Sequence, residues 1–237
     1  MQRIIPFLIA IALFLPGPAY PYKRTNLAQL DNKRTVKKSV VIWRQPYDIR
    51  TRNLFYGPGG KAGQPQGPFR FIEEDRGGSN PKFIVEDARK VRWKVKLGNE
   101  AQPETAATRL LWAVGYFTDV NYYRQRLRVK GLPKLERGQK YVSNGTAHGA
   151  RLERVVKKVD DWSWFDNPFV GTKEFNGLRV MMALMNNWDL KQGNNAIYHL
   201  RGGEQRYVVN DLGDTFGKNA RPTPQLQTLY MVAILPE

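Results

Sequence analysis

Hydrophobic and polar positions fall into two regimes along the chain. Up to residue 68 they show little period; from Phe69 they alternate in short runs broken by turn residues. Phe69–Glu74, Phe83–Glu86 and Val91–Leu97 read as strands, separated by Asp75-Arg76-Gly77-Gly78-Ser79-Asn80 and by Asp87–Lys90. In the third, Val91, Trp93, Val95 and Leu97 share one face, and Arg92, Lys94 and Lys96 share the other. That is the two-residue period of a strand with one side in a core. Three strands on short turns predict an antiparallel meander. A helix should follow, with Asn99 as cap, Pro103 near its start, an apolar stripe at Ala106, Leu110, Ala113 and Val114, and Gly115 at its end. Tyr122–Val129 and Leu152–Val156 predict further strands. Lys173–Asn186 predicts a second helix, apolar on most sides in its second half and therefore buried. A polar loop at Asn187–Asn195, strands at Ala196–Leu200 and Tyr207–Val209, and the triplet Asp211-Leu212-Gly213 complete the patterned region.

The unpatterned beginning has its own logic. Met1–Ala19 joins Arg3, an apolar run from Ile4 to Leu15, and small residues Gly17 and Ala19. This is the pattern of a secretory signal cut after Ala19, and the run is short for a bilayer span, which needs about 20 residues. The mature protein is expected to be exported, periplasmic or extracellular. Residues 20–68 are basic and then Gly/Pro-rich: Lys23, Arg24, Lys33, Arg34, Lys37 and Lys38 crowd together, and Val40–Trp43 can form a short strand. Residues 57–68 hold five glycines and three prolines, the composition of a loop. Residues 69–130 and 131–217 form the sheet-and-helix region and the region with the second helix. Residues 218–237 carry little pattern.

Composition narrows the chemistry. The 237 residues carry 38 Lys and Arg against 21 Asp and Glu, a formal charge of +17, and no cysteine. Thiolate zinc sites, iron–sulfur clusters, cysteine nucleophiles and disulfides are excluded together. With His148 and His199 as the only histidines, multi-histidine metal sites are nearly excluded as well. The charge favours polyanions, either an anionic cell-envelope polymer or a lipid surface. No helix-turn-helix, finger or ribonucleoprotein pattern is present, so no specific nucleic-acid partner is expected.

One segment combines residues in a chemically useful order. Asp189-Leu190-Lys191-Gln192-Gly193-Asn194 follows the second helix and precedes a hairpin that delivers Asp211-Leu212-Gly213. Phosphoryl transfer needs a carboxylate to orient the attacking hydroxyl, an amide oxygen and a second carboxylate to hold divalent metal, and a nearby cation. Asp189 suits the first role, Asn194 and Asp211 the metal pair, and Lys191 the cation.

These two motifs resemble the catalytic loop and metal motif of the protein-kinase-like superfamily. The atypical branches are closer: phosphatidylinositol-kinase-like enzymes, toxin–antitoxin serine kinases and secretory-pathway kinases. The upstream order is similar, with three strands, a lysine on the third, then a helix bearing glutamate. The resemblance implies an α+β, two-lobed kinase-like fold, with a small antiparallel N-terminal sheet and one helix. Its C-terminal helical lobe would be short, truncated or minimal, because Asp189 lies near the chain end. It implies Lys96, or Lys94 on the same face, as the nucleotide-phosphate lysine, paired with Glu104 or with Glu100 one turn earlier. Gly77, Gly78 and Ser79 stand where the phosphate-covering loop would be. ATP with Mg²⁺ or Mn²⁺ and an acceptor of unknown kind are the implied partners. Asn187-Trp188 replaces the usual His or Gly-Asp flank, the GxGxxG pattern is absent, and Leu212 stands for Phe. The chain as a whole also resembles exported proteins of soil bacteria, which implies no activity. ATP is scarce outside the cytoplasm, which favours a pseudokinase or another phosphoryl donor. The alternative is a non-enzymatic basic envelope protein. Other features carry less: His148 is expected in a loop, His199 on a strand in a structural role, and Asp160 and Asp161 beside Trp162 suggest a sugar-binding group.

Overall fold

The computed structural model describes residues 39–217. The expected signal segment, the basic cluster from Lys23 to Lys38 and the tail after residue 217 lie outside the described residues. The elements, in chain order, are β1 (Val40–Val41), β2 (Phe69–Asp75), β3 (Lys82–Glu86), β4 (Arg92–Lys96), α1 (Ala101–Ala113), β5 (Asn121–Lys130), β6 (Val142–Ser143), β7 (Thr146–Arg154), α2 (Lys173–Leu184), β8 (Asn195–His199) and β9 (Gln205–Val209).

The meander is present: β3 pairs antiparallel with both β2 and β4. The expected fold class is nevertheless wrong. β2 also pairs parallel with β5, β5 pairs antiparallel with β7, and β7 returns to pair with β4, Val95 opposite Leu152. Five strands therefore close into a barrel. A second sheet, β1-β9-β8, forms from the chain beyond α2 and one short early strand. The described structure is mostly β, with two α-helices, and among the described residues no helical lobe follows Asp189. The two-lobed kinase-like fold is overturned.

The reason lies in β7. Only its end, at Leu152, shows a strand pattern in the sequence, because Ala147, Gly149 and Ala150 give no contrast of large apolar and polar side chains. Yet this strand is hydrogen-bonded on both sides, and full closure removes the exposed edges that an open sheet must protect. Ala147, Ala150 and Leu152 are fully buried with Phe83, Val85, Trp93, Val95 and Leu97. Val155 and Val156, expected in this strand, fall outside it and are exposed.

The two helices depart from their expected faces in an informative way. In α1 the expected stripe fails in its first half: Ala106 and Leu110 face solvent, while Val114 packs against the second core. Ala101, Glu104, Ala107, Thr108, Arg109 and Leu111 are buried instead. The inward face carries three polar side chains, each with a partner, so apolar periodicity pointed to the wrong side. In α2, capped by the Thr172 hydroxyl accepting from the Phe175 amide, Phe175, Leu178 and Met182 are buried, but Val180 and Leu184 are exposed. A second core gathers Leu111 of α1, Phe175 and Met182 of α2, Trp162, Trp164, Tyr207 and Val209.

The Gly/Pro-rich segment is fastened to the barrel: Arg89 donates to the Ala62 and Gln64 carbonyls, and the Tyr122 hydroxyl to that of Gly60. One further device shapes β5. Tyr122 is buried, and strict alternation would bury Arg124, Arg126 and Arg128 after it. The pairing of Arg124 with Ala150 and Arg126 with His148 sets Gln125 opposite Gly149, which adopts φ +64°. Beyond that point the alternation inverts, so that Leu127 and Val129 are buried and Arg126, Arg128 and Lys130 are exposed. A positive φ at a strand glycine is the backbone irregularity that allows such a switch.

Leu152→Ala should cost about 2–5 kcal/mol, the range for truncating a fully buried leucine in a packed core. Urea denaturation reads it, and a loss below about 1 kcal/mol would show that β7 does not seal the barrel.

Candidate functional site

Lys96 ends β4 and is buried. Its register partner on β7 is Arg151, also buried. Two adjacent buried cations are tolerable only if carboxylates meet them. The first turns of α1 supply them. Lys96 Nζ lies 3.0 Å from Glu104 Oε2 and 3.1 Å from Glu100 Oε2. Arg151 lies 3.1 Å from the other Glu104 oxygen and 2.7 Å from Glu153 Oε2. Glu104 is thus shared between two cations, one on each oxygen. Both glutamates considered as partners for Lys96 reach it.

Lys96 has a third carboxylate: Asp211 Oδ1, just past β9, at 2.8 Å. Burial disfavours the Lys96 charge, but Glu104 and Asp211 outweigh it and hold its pKa above the ordinary lysine value. Burial raises the Glu104 carboxyl above the ordinary value, with Arg151 and Lys96 opposing the rise. Burial also acts to raise Asp211, and Lys96 reverses it, so Asp211 titrates below the usual aspartate range. Asp211 has φ +43°, rare for a non-glycine residue and tolerated best by Asn and Asp. About half of its side chain remains exposed.

The Asp189–Asn194 segment closes on itself. Asn194 Nδ2 donates to the Asp189 carbonyl at 3.0 Å and to its Oδ2 at 2.9 Å. Lys191 Nζ lies 2.7 Å from Asp189 Oδ1. The Asn187 side chain accepts from the Asp189 amide. The Asn194 carbonyl accepts from the Asn210 amide at 3.0 Å, so this turn abuts the residue preceding Asp211. The Lys191 pKa is raised, first by its hydrogen bond to Asp189 and also by the charges of Asp189, Asp211 and Asp214. Asp189, Lys191, Asn194 and Asp211 therefore share one electrostatic neighbourhood.

The remaining expected residues divide. Lys94 leaves this group and acts on Asp119 and Glu153. Gly77, Gly78 and Ser79 lie in the turn between β2 and β3. Arg137 donates to the Arg76, Gly78 and Ser79 carbonyls there. The turn connects to the lysine through Asn80, whose amide donates to Glu100 at 2.5 Å. His148 lies on β7 rather than in a loop and bonds Ser143. His199 ends β8 and bonds Gln205. The sugar-binding suggestion fails at Trp162, which is buried against Trp164, Phe175 and Tyr207 with its indole N–H on the Val208 carbonyl.

Sequence reasoning missed Arg151, Glu153, Asp119 and Asp214. Asp119 lies near Glu153 and Arg151 in this cluster. Burial first and the Glu153 charge second raise its pKa well above the ordinary value. With its amide turned, Asn210 donates to both Asp119 oxygens, at 3.2 and 3.1 Å. One Asp214 oxygen is buried without a hydrogen-bond partner.

For a divalent ion, the donor set is sparse. No group of three His, Asp or Glu side chains suited to a metal occurs among the described residues. Asp211 and Asn194, whose Nδ2 is engaged and whose Oδ1 is left as an acceptor, make two oxygen donors. Two such donors, with Asp211 Oδ1 already on Lys96, are too few for a dedicated protein cage.

The raised Asp119 pKa sets a sign. Between the unfolded value near about 4 and the raised folded value, the folded state holds more protons, so stability falls as pH rises. Asp119→Asn should melt higher than wild type at neutral pH, with the gap closing below about pH 4. Thermal melts across that range test this, and equal melting temperatures at pH 7 would contradict it. No family model matches the chain, and no curated protein matches it significantly.

Proposed function

We propose that this cluster of side chains supports metal-dependent phosphoryl transfer from a nucleotide. The observation that carries the reading is Lys96, held at 2.8–3.1 Å by Glu104, Glu100 and Asp211, with the Asp189–Asn194 turn hydrogen-bonded to the residue beside Asp211. The proposal concerns the chemistry of the site, on a barrel scaffold.

Lys96 is a fixed cation whose position is set by carboxylates on two elements. Such a cation is preorganised for the oxygens of a nucleotide polyphosphate and needs little reorganisation as charge develops. Asp211 and Asn194 would hold Mg²⁺ or Mn²⁺, which when bound neutralises phosphate charge. Asp189 would accept the proton of the attacking hydroxyl. Lys191, already on Asp189 Oδ1, keeps positive charge beside the transferring group. The Gly77–Ser79 turn, tied to Glu100 through Asn80, would cover the phosphates.

Calorimetric titration of ATP with Mg²⁺ into wild type and variants tests the reading. Saturation at 100 times Kd should stabilise the protein by about 2.7 kcal/mol. Asp211→Asn should remove the metal-dependent part of the heat. Asp189→Asn should leave binding within about twofold and reduce transfer by about a hundredfold or more, the worth of a positioned base. Absence of heat in wild type, or unchanged heat in Asp211→Asn, would overturn the proposal.

A further inference from the structure

Away from this cluster, β5 builds a second feature. Past the inversion at Gly149, Arg126, Arg128 and Lys130 project from the outer face of one strand at alternate positions. Same-face strand residues repeat every ~6.7 Å, so the three cations form a row of about 13 Å. They line a cleft of about 830 Å³, walled on the other side by the Pro65–Pro68 segment. Arg124 is fastened to that wall through the Gln64 side chain and the Pro65 carbonyl. Among the described residues, no carboxylate pairs with Arg126, Arg128 or Lys130, whereas Arg70, Lys82, Lys96 and Arg151 on the barrel strands each have one. Along β7, Arg128 stands opposite Thr146 and Lys96 opposite Arg151. The row and the Lys96 site are therefore about five residues, or ~17 Å, apart along that strand.

We propose that this cleft binds a linear phosphate polymer, laid along β5 with successive anionic groups on Arg126, Arg128 and Lys130. Three features choose this ligand. Guanidinium forks match phosphate oxygens two at a time, and arginine outnumbers lysine in the row. The cations line a cleft that runs along the strand beside the Pro65–Pro68 wall, a shape that an extended chain follows better than a flat bilayer does. The lining offers one half-buried ring, Phe69, in place of the succession of exposed rings on which nucleobases stack. The site stands independently of the phosphoryl-transfer reading, because it shares no residue with it.

Fluorescence anisotropy with labelled inorganic polyphosphate, repeated across a salt series, tests the site. Parallel titrations use inorganic monophosphate, single-stranded oligothymidylate and vesicles containing anionic lipid. The variant Arg126→Gln/Arg128→Gln/Lys130→Gln is compared with Arg50→Gln/Lys157→Gln/Arg201→Gln, which removes the same charge from exposed positions elsewhere. Single Arg128→Gln guards against misfolding of the triple variant. The expected result is tight polyphosphate binding by wild type and the control triple, and at least a tenfold loss in the β5 triple at low salt. The slope of log affinity against log salt should become shallower by about 2 in the β5 triple and by about 0.7 in Arg128→Gln. Equal losses in the two triples would reduce the effect to net charge and overturn the site. Stronger binding of vesicles or oligothymidylate than of polyphosphate would overturn the ligand assignment.

Discussion

The sharing of Glu104 between Lys96 and Arg151 is the constraint on which much else rests. Unpaired buried charges cost several kcal/mol each, and removing one partner of a buried pair is strongly destabilising. The two cations sit on the strands whose pairing closes the barrel, and the glutamate sits on the helix that packs beside that seam. Closure, helix placement and charge neutralisation are therefore one problem with one solution. A barrel closed in another register would leave Arg151 or Lys96 facing hydrocarbon.

The same arrangement couples the two cores. α1 contributes Ala107 and Leu111 to the second core, while Glu104, one turn earlier, reaches the barrel seam. Asp211 approaches Lys96 from the end of β9, in the second sheet. Arg109, buried on α1, donates to the Asn121 side chain and backbone at the start of β5 and has no carboxylate among the described residues. Burial lowers its pKa to about 10. Much of the polar interior thus lies between the barrel and the second core, where hydrogen bonds specify geometry that apolar packing would leave loose.

Local patterns in the sequence were legible where contrast was strong. Val91–Leu97 announced a half-buried strand, and the order of Lys96, the α1 glutamates, Asp189, Asn194 and Asp211 picked out residues that lie together. Closure was not legible, because it depends on which strand meets β4, and β7 hides its period behind Ala147, Gly149 and Ala150. The inward face of α1 was misread for a related reason. Glu104, Thr108 and Arg109 are polar and buried, and apolar periodicity assigns such residues to solvent. Arg151 was invisible on both counts, a charged residue on a weakly patterned strand. The motif-based fold expectation failed because a short run of catalytic-type residues constrains a neighbourhood and leaves the surrounding architecture free.

The inversion at Gly149 has a consequence for how this molecule can change. One backbone irregularity divides β5 into two segments in which opposite alternate positions face the interior. Substitutions at Arg126, Arg128 and Lys130 can therefore alter the outer cleft without disturbing Asn121 and Tyr122, which are buried in the first segment. The strand works as two adjacent modules with a single glycine as the partition. A side chain disfavoured at φ +64° in place of that glycine would strain the backbone at the partition itself.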